Sequence, residues 1–253
     1  MDYDTVVLDI EGTITPITFV KDTLVFFFLS RSSLTGKRLD AFLDRNWGST
    51  DLESYVELLR EQAQKDVGGG EAEAVVIPKE GKPEEIKAAI KKNIEWQMAA
   101  DRKNGALKAF QGFMWKDGYS TGELCGEIYA DVVPLLDQWR AAGKPIYIYS
   151  SGSVPAQKLI VGYSDKGDLS KYFSGYFDTA IGLKVEAASY EKIAQEIGKD
   201  PSRILFVSDN IKEIQAAKQA KYQAVISERP GNAPLGPESK DFKIVTSFEQ
   251  LSQ

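Results

Sequence analysis

Val6-Val7-Leu8-Asp9-Ile10-Glu11-Gly12-Thr13 decides how the rest of the chain is read. Three consecutive apolar residues predict the end of a strand buried on both faces, as in a parallel sheet. A carboxylate, a second carboxylate two positions on and a glycine then fall where that strand must stop. In an open α/β sheet, ligands bind beyond the carboxyl ends of the strands, so Asp9 and Glu11 stand where chemistry is done rather than packing. Taken alone, these residues also fit an acidic turn, because Asp and Gly are common turn residues.

The composition removes several chemistries. The chain has 253 residues and a net charge of -6, which argues against a general nucleic-acid or anionic-membrane binder, since either wants a basic surface. An anionic substrate must therefore be held by local positive groups. Histidine is absent, although average usage predicts about half a dozen in a chain this long. That absence excludes Ser-His-Asp and Cys-His nucleophile systems and His-ligated zinc. The single cysteine, Cys125, permits no internal disulfide, lacks an arginine six residues on and reads as an inert, partly buried thiol in a reducing compartment. No signal peptide is visible, and Val25-Phe26-Phe27-Phe28-Leu29 is too short to cross a bilayer, so a soluble cytoplasmic protein is expected.

Working outward from Gly12, the pattern turns helical from Thr15 to Gly126. Phe19 to Leu29, Leu39-Phe42-Leu43 and Leu52 to Leu59 carry apolar residues at helical spacing, as do Ile86, Ile90, Ile94 and Met98 and then Leu107, Phe110 and Met114. Gly68-Gly69-Gly70 and the stretch to Pro83 read as a solvent loop, and Asp101-Arg102-Lys103 as a solvated helix face. From Asp131 strands and helices alternate. Helices are expected from Val132 to Ala142, Val154 to Val161, Ser189 to Ile197 and Ile211 to Ala220; strands at Pro145–Tyr149, Phe177–Ile181, Arg203–Val207, Ala224–Ile226 and Lys243–Val245. The expected fold is α/β, a doubly wound parallel sheet formed by residues 1–14 and 127–253, with a helical domain, 15–126, inserted after the first strand. Neither a G-x-x-x-x-G-K-[ST] loop nor a G-x-G-x-x-G after a strand is present.

Four strand ends then carry polar groups: Asp9 with Glu11, Ser150 with Ser151, the Lys184 loop, and Asp209 with Asn210. Each has an ordinary structural reading as a cap, a turn or a surface lysine. Parallel strands place their ends on one edge, where two carboxylates, a cation and hydroxyls make a Mg²⁺-plus-phosphate site. Asp9 is then the nucleophile toward phosphorus, and Asp9 and Asp209 are oxygen ligands for Mg²⁺. Lys184 and Ser150 or Ser151 neutralise the phosphoryl group, with backbone donors from the helix near Val154. Glu11 serves as acid and then base.

These motifs, Asp9-x-Glu11-Gly-Thr, the strand-end serine, the lysine before a helix and Ser208-Asp209-Asn210-x-x-Glu213, resemble those of the haloacid-dehalogenase-like phosphohydrolases, whose inserted helical domain is a cap. The whole chain is similar to the acireductone synthase family, the enolase-phosphatases of methionine salvage. Asp9 to Thr13, Trp96-Gln97-Met98 with Asp101-Arg102-Lys103, Ser150-Ser151-Gly152-Ser153-Val154 and Arg229-Pro230-Gly231-Asn232 carry that likeness. The resemblance implies a Mg²⁺ enzyme that enolises and then dephosphorylates a small phosphate ester. It implies Asp9, Glu11 and Asp209 around the metal, Ser150, Ser151 and Lys184 on the substrate, and a monomer in the cytoplasm; the charge already argues against a nucleic-acid or membrane partner. The chain departs from the family at Ile14 and Val25-Phe26-Phe27, and at Phe113, Tyr163, Tyr176 and Leu183, near which the family often has histidine. The loss beside Lys184 bears on the enolase step. A general phosphatase of the same fold and a non-catalytic binding protein on the same scaffold are the alternatives.

Overall fold

The computed structural model describes residues 1–19, 36–102 and 104–252. They fall into two compact units, 1–21 with 122–253, and 22–121. Among the described residues the first unit takes in 15–19 and 122–126, where the expected limits are 14 and 127. Local pairing accounts for this: Thr15 bridges Glu11, Gly126 pairs with Ser164, and Tyr129 N donates to the Ile14 carbonyl at 3.1 Å.

In the first unit six parallel strands, β1 (Thr5–Leu8), β2 (Ile146–Tyr149), β3 (Phe173–Phe177), β4 (Ile204–Ser208), β5 (Gln223–Ser227) and β6 (Lys243–Val245), run in the order β3-β2-β1-β4-β5-β6. β1 lies centrally, with Leu8 opposite Ile148 on one side and Val207 on the other. Val6, Val7 and Leu8 are fully buried, each worth about 1.5–3 kcal/mol relative to exposure. This is why an uninterrupted apolar run rather than an alternating one sits here. The chain builds outward from β1 through β2 to β3 on one side, then crosses to β4, β5 and β6 on the other, so a crevice opens at the strand ends between β1 and β4. Val7, Phe206 and Ile226 pack with Tyr190, Ile193 and Ile214 from the helices Ala187–Ile197 and Ile211–Gln219. The helix Val132–Ala141 ends before Gly143, whose φ of +70° suits a residue without a Cβ, and its Trp139 meets Tyr3 and Phe248.

The described part of the second unit holds α1 (Gly36–Asn46), α2 (Thr50–Gly68), α3 (Pro83–Ala99) and α4 (Gly105–Ser120). Continuing in chain order, α5 is Val132–Ala141, α6 Val154–Gly162, α7 Ala187–Ile197 and α8 Ile211–Gln219. Phe42 stands edge-on to Phe110 and Phe113, over which Tyr55 stacks at 4.7 Å. The apolar stripe of Ile86, Ile90 and Ile94 is buried as its spacing predicts, and Met98 is half-buried.

Four expectations need correction. The third strand runs over 173–177 rather than 177–181, because Asp178 folds the chain into a turn, accepting from Val154 N at 3.0 Å and Ala180 N at 2.9 Å. The stretch after Gly70 is not all solvent-facing: Ile77 is buried, and the Val75 carbonyl accepts from Asn93 at 2.6 Å. Asp101-Arg102 follows α3 rather than lying on a helix. Arg102 is held there by Asp66 at 2.5 Å and the Trp96 ring at 4.9 Å, so it is not a solvated charge. Cys125 is exposed. The readings for Val20–Leu29 and Lys103 lie outside the described residues. No helix among the described residues is long and apolar enough to cross a membrane.

Candidate active site

The carboxyl ends of β1, β2 and β4 and the loop carrying Lys184 supply Asp9, Glu11, Ser151, Lys184 and Asp209 to one cavity of about 470 Å³. Parallel register brings them there. Leu8 faces Val207, Asp9 N donates to the Val207 carbonyl at 3.0 Å, and Ser208-Asp209 therefore emerges beside Asp9. The convergence across two hundred residues of sequence is a consequence of strand pairing.

Asp9 is buried and held on both oxygens. Its Oδ1 accepts from Lys184 Nζ at 2.5 Å and from Ile10 N at 2.8 Å, and its Oδ2 lies 3.2 Å from Ser208 Oγ. Lys184 Nζ also meets Glu213 Oε2 at 2.8 Å, and Ser208 Oγ lies 2.8 Å from the same oxygen. Burial alone would lower the Lys184 ammonium, but the charges of Asp9 and Glu213 outweigh it and hold the pKa above its ordinary value. Glu11, Asp209 and Glu213 are pushed up to about 7, first by burial and then by the negative charge of Asp9, with Lys184 opposing. One cation among four acids leaves a surplus of negative charge, which suits a site that takes a further cation.

Gly12 turns the chain with φ at +71°, and a Cβ there would collide with the Asp209 carboxylate. The glycine is required twice, for its conformation and for the close approach of Asp209. Asn210, not Asp209, is the helix cap: its Oδ1 accepts from Lys212 N at 3.0 Å, leaving Asp209 to the cavity.

Other expected residues fall differently. Ser151 is exposed and lines the cavity, whereas Ser150 is buried, with its Oγ accepting from Gly152 N at 3.3 Å. The amide of Val154 is already taken by Asp178, so that donor at the start of α6 is not offered to a ligand. Asp9, Glu11 and Asp209 do not form a ready cage: among the described residues no three His, Cys, Asp or Glu side chains stand together as a metal-binding group. Asp9 instead turns an oxygen to Lys184. Mg²⁺ ordinarily takes one or two carboxylates and completes its shell with water and phosphate, so an all-oxygen pair such as Asp9 and Asp209 remains a fitting donor set.

Sequence reasoning missed the supports of Lys184. Tyr190 OH donates to the Lys184 carbonyl at 2.6 Å and Tyr149 OH to the Gly182 carbonyl at 2.9 Å. The two rings meet edge-on at 5.5 Å, and Lys184 Nζ lies 5.8 Å from the Tyr149 ring. Tyrosines at strand and helix positions read as core, and no spacing signals this second task. Glu213 was visible only as the last letter of a motif. Tyr190→Phe is expected to keep the fold while loosening the lysine loop, with a roughly tenfold loss of turnover, about the worth of one hydrogen bond. Steady-state kinetics beside a thermal melt check this, and unchanged turnover would remove Tyr190 as a support.

The raised carboxylates also set how stability varies with pH in the presence of EDTA. Ordinary carboxylates titrate near pH 4, so between about pH 4 and 7 the folded state binds more protons than the unfolded one. Stability of the chelated protein is therefore expected to fall as pH rises through that window. Saturating Mg²⁺ should raise the melting temperature at about pH 8 and do little at about pH 5, which differential scanning calorimetry measures directly.

A family model described as haloacid dehalogenase-like hydrolase matches residues 3–221. The chain is 45% identical over 248 residues to the enolase-phosphatase E1 of Anopheles gambiae, covering 98% of this chain and 81% of that one. It is 47% identical over 249 residues to an Arabidopsis thaliana protein named "Probable bifunctional methylthioribulose-1-phosphate dehydratase/enolase-phosphatase E1", of which it spans 47%. Among solved structures, the UTR4 protein of Saccharomyces cerevisiae superposes with a TM-score of 0.75 at 31% identity, covering 98% of this chain and all of that one.

Proposed function

The chain belongs to the haloacid dehalogenase-like hydrolases and, within them, to the enolase-phosphatases E1; from that membership we propose that it acts as a Mg²⁺-dependent acireductone synthase. It enolises 2,3-diketo-5-methylthiopentyl 1-phosphate and then removes the phosphate, leaving 1,2-dihydroxy-3-keto-5-methylthiopentene, in methionine salvage. The observation that carries this reading is the buried Asp9–Lys184–Glu213 ion cluster on the crevice between β1 and β4, with Asp209 on the adjoining loop.

Asp9 and Asp209 would hold the Mg²⁺, which when bound supplies positive charge against the phosphoryl oxygens. The Asp9 carboxylate attacks phosphorus, and the bond from phosphorus to the ester oxygen breaks. Glu11, whose burial favours the protonated form, gives a proton to the departing oxygen. Water then attacks the aspartyl phosphate with Glu11 as base, releasing phosphate and restoring Asp9. Lys184 steers the Asp9 carboxylate and offsets charge on the phosphoryl group, and the Ser151 hydroxyl donates to it from the cavity wall. In the enolase step a carboxylate of the cavity moves the carbon-bound proton while Lys184 offsets the enolate charge.

Leu183 is exposed beside Lys184, near where the family often has histidine, so orientation of the diketone falls to the remaining groups. The test is to follow the diketone phosphate by ultraviolet absorbance and phosphate release together. The enol is expected to form before phosphate, with both stopped by EDTA. Release of phosphate without the enol would replace this reading by a general phosphatase of the same fold.

A further inference from the structure

We propose that Asn232, in the loop after β5, is a positioning residue for the divalent cation and acts through its side-chain oxygen; this rests on the Mg²⁺ reading above. The orientation of its amide is set by chemistry. Asn232 Nδ2 donates to the Gly12 carbonyl at 2.9 Å and to the Ser227 carbonyl at 3.2 Å. Both partners are acceptors only, so the nitrogen belongs there and the oxygen faces the other way.

That oxygen is buried and has no hydrogen-bond partner in the protein. A buried acceptor left alone costs about 1–3 kcal/mol, so it marks a place where something else supplies positive charge or a proton. The place is defined by Gly12. A Cβ built on Gly12 would collide with Oδ2 of Asp209 and stand 2.8 Å from Oδ1 of Asn232. Both oxygens therefore border the same small space beside the Gly12 backbone, one from the end of β4 and one from the loop after β5. Hard cations select this kind of oxygen set, and a neutral amide oxygen adds to it without adding repulsion.

The loop that carries Asn232 is anchored for such a task. Arg229 is buried, with its Nη1 on Asp131 at 2.7 Å and its Nε on the Thr13 carbonyl at 3.3 Å, and Asn232 N donates to the Arg229 carbonyl at 3.1 Å. The consecutive carbonyls of Gly12 and Thr13 are thus both tied to one loop. A side chain placed with so little freedom can orient a ligand shell at low entropic cost.

The experiment is Mg²⁺ titration of the full chain by isothermal titration calorimetry without substrate, comparing wild type, Asn232→Ala, Asn232→Asp and Asp209→Asn, with thermal melts in EDTA to compare folding. Asn232→Ala is expected to weaken Mg²⁺ binding about 10- to 100-fold, the usual size for loss of an outer partner of a metal site. Asn232→Asp loses the donations to Gly12 and Ser227 but keeps an oxygen toward Asp209 and adds charge, so it should bind at least as tightly as wild type. Equal losses in the two variants would show a clamp on Gly12 alone and overturn the proposal, as would unchanged affinity in Asn232→Ala. If the alanine variant does not fold, the aspartate variant decides: retained affinity supports the cation role and lost affinity overturns it. Asp209→Asn separates the two levels, because wild-type Mg²⁺ affinity there would remove the Mg²⁺ reading itself and the role of Asn232 with it.

Discussion

Asp9→Asn is expected to abolish phosphate release, a loss on the order of 10⁴-fold or more, in a chain that still folds. The loss follows from chemistry, since an amide oxygen is a poor nucleophile and the aspartyl phosphate cannot form. Survival of the fold follows from the surroundings. The asparagine oxygen can still accept from Ile10 N, the new nitrogen can donate to Ser208 Oγ, and Lys184 keeps Glu213 as its partner. Removing this charge also relieves Glu11, Asp209 and Glu213, since Asp9 is the leading charge that raises each of them. A melting temperature near that of wild type together with lost turnover of an aryl phosphate is the expected pair of results. Hydrolysis persisting in a folded Asp9→Asn protein would remove Asp9 as the attacking group.

Lys184→Met is expected to damage both stability and turnover. The Lys184 side chain is 7% exposed and its ammonium lies between two carboxylates, so its loss leaves Asp9 and Glu213 buried without a counter-charge. Breaking a buried pair by removing one partner costs about 3–5 kcal/mol, which lowers the melting temperature on the order of 10 °C in a chain of this size. The sign of the pH dependence follows from the acids. Glu213 is pushed up to about 7 with the lysine in place and higher without it, so at about pH 5 it is neutral, its repulsion with Asp9 is gone and the deficit shrinks. Turnover should fall about 10³-fold, the scale for losing a charge-stabilising group in the transition state. A Lys184→Met protein as stable as wild type at about pH 8 would show that the cluster does not depend on its cation.

The two variants probe the same cluster from opposite charges, and their effects should not add. Asp9→Asn in a Lys184→Met background removes part of the repulsion that the lysine had been offsetting. The double variant is therefore expected to melt above Lys184→Met alone, although it turns over less.

What could be read in the sequence was whatever a local pattern encodes. An unbroken apolar run ending in Asp9-x-Glu11-Gly12 gives a strand buried on both faces and the acids at its end, since burial on two faces erases the usual alternation. The Val154 and Ile211 helices were legible for the same reason, because their starts are marked by Pro155 and Asn210. The edge strand β3 was displaced because Ser174 and Gly175 interrupt its apolar residues and leave little periodic signal to fix where the strand lies.

From its sequence alone this protein is determined to have a parallel α/β core, a helical insertion and an Asp9, Glu11, Lys184 and Asp209 set delivered to strand ends, because each of these is written in neighbouring residues. Only the tertiary structure decided that Glu213 shares Lys184 with Asp9, that Ser150 is buried while Ser151 faces the cavity, and that Tyr149 and Tyr190 hold the lysine loop. It also decided that Asn232 and Asp209 both border the space beside Gly12. Those relations join residues from separate loops and helices, and their distances are set by strand register and helix packing, to which no stretch of local sequence refers.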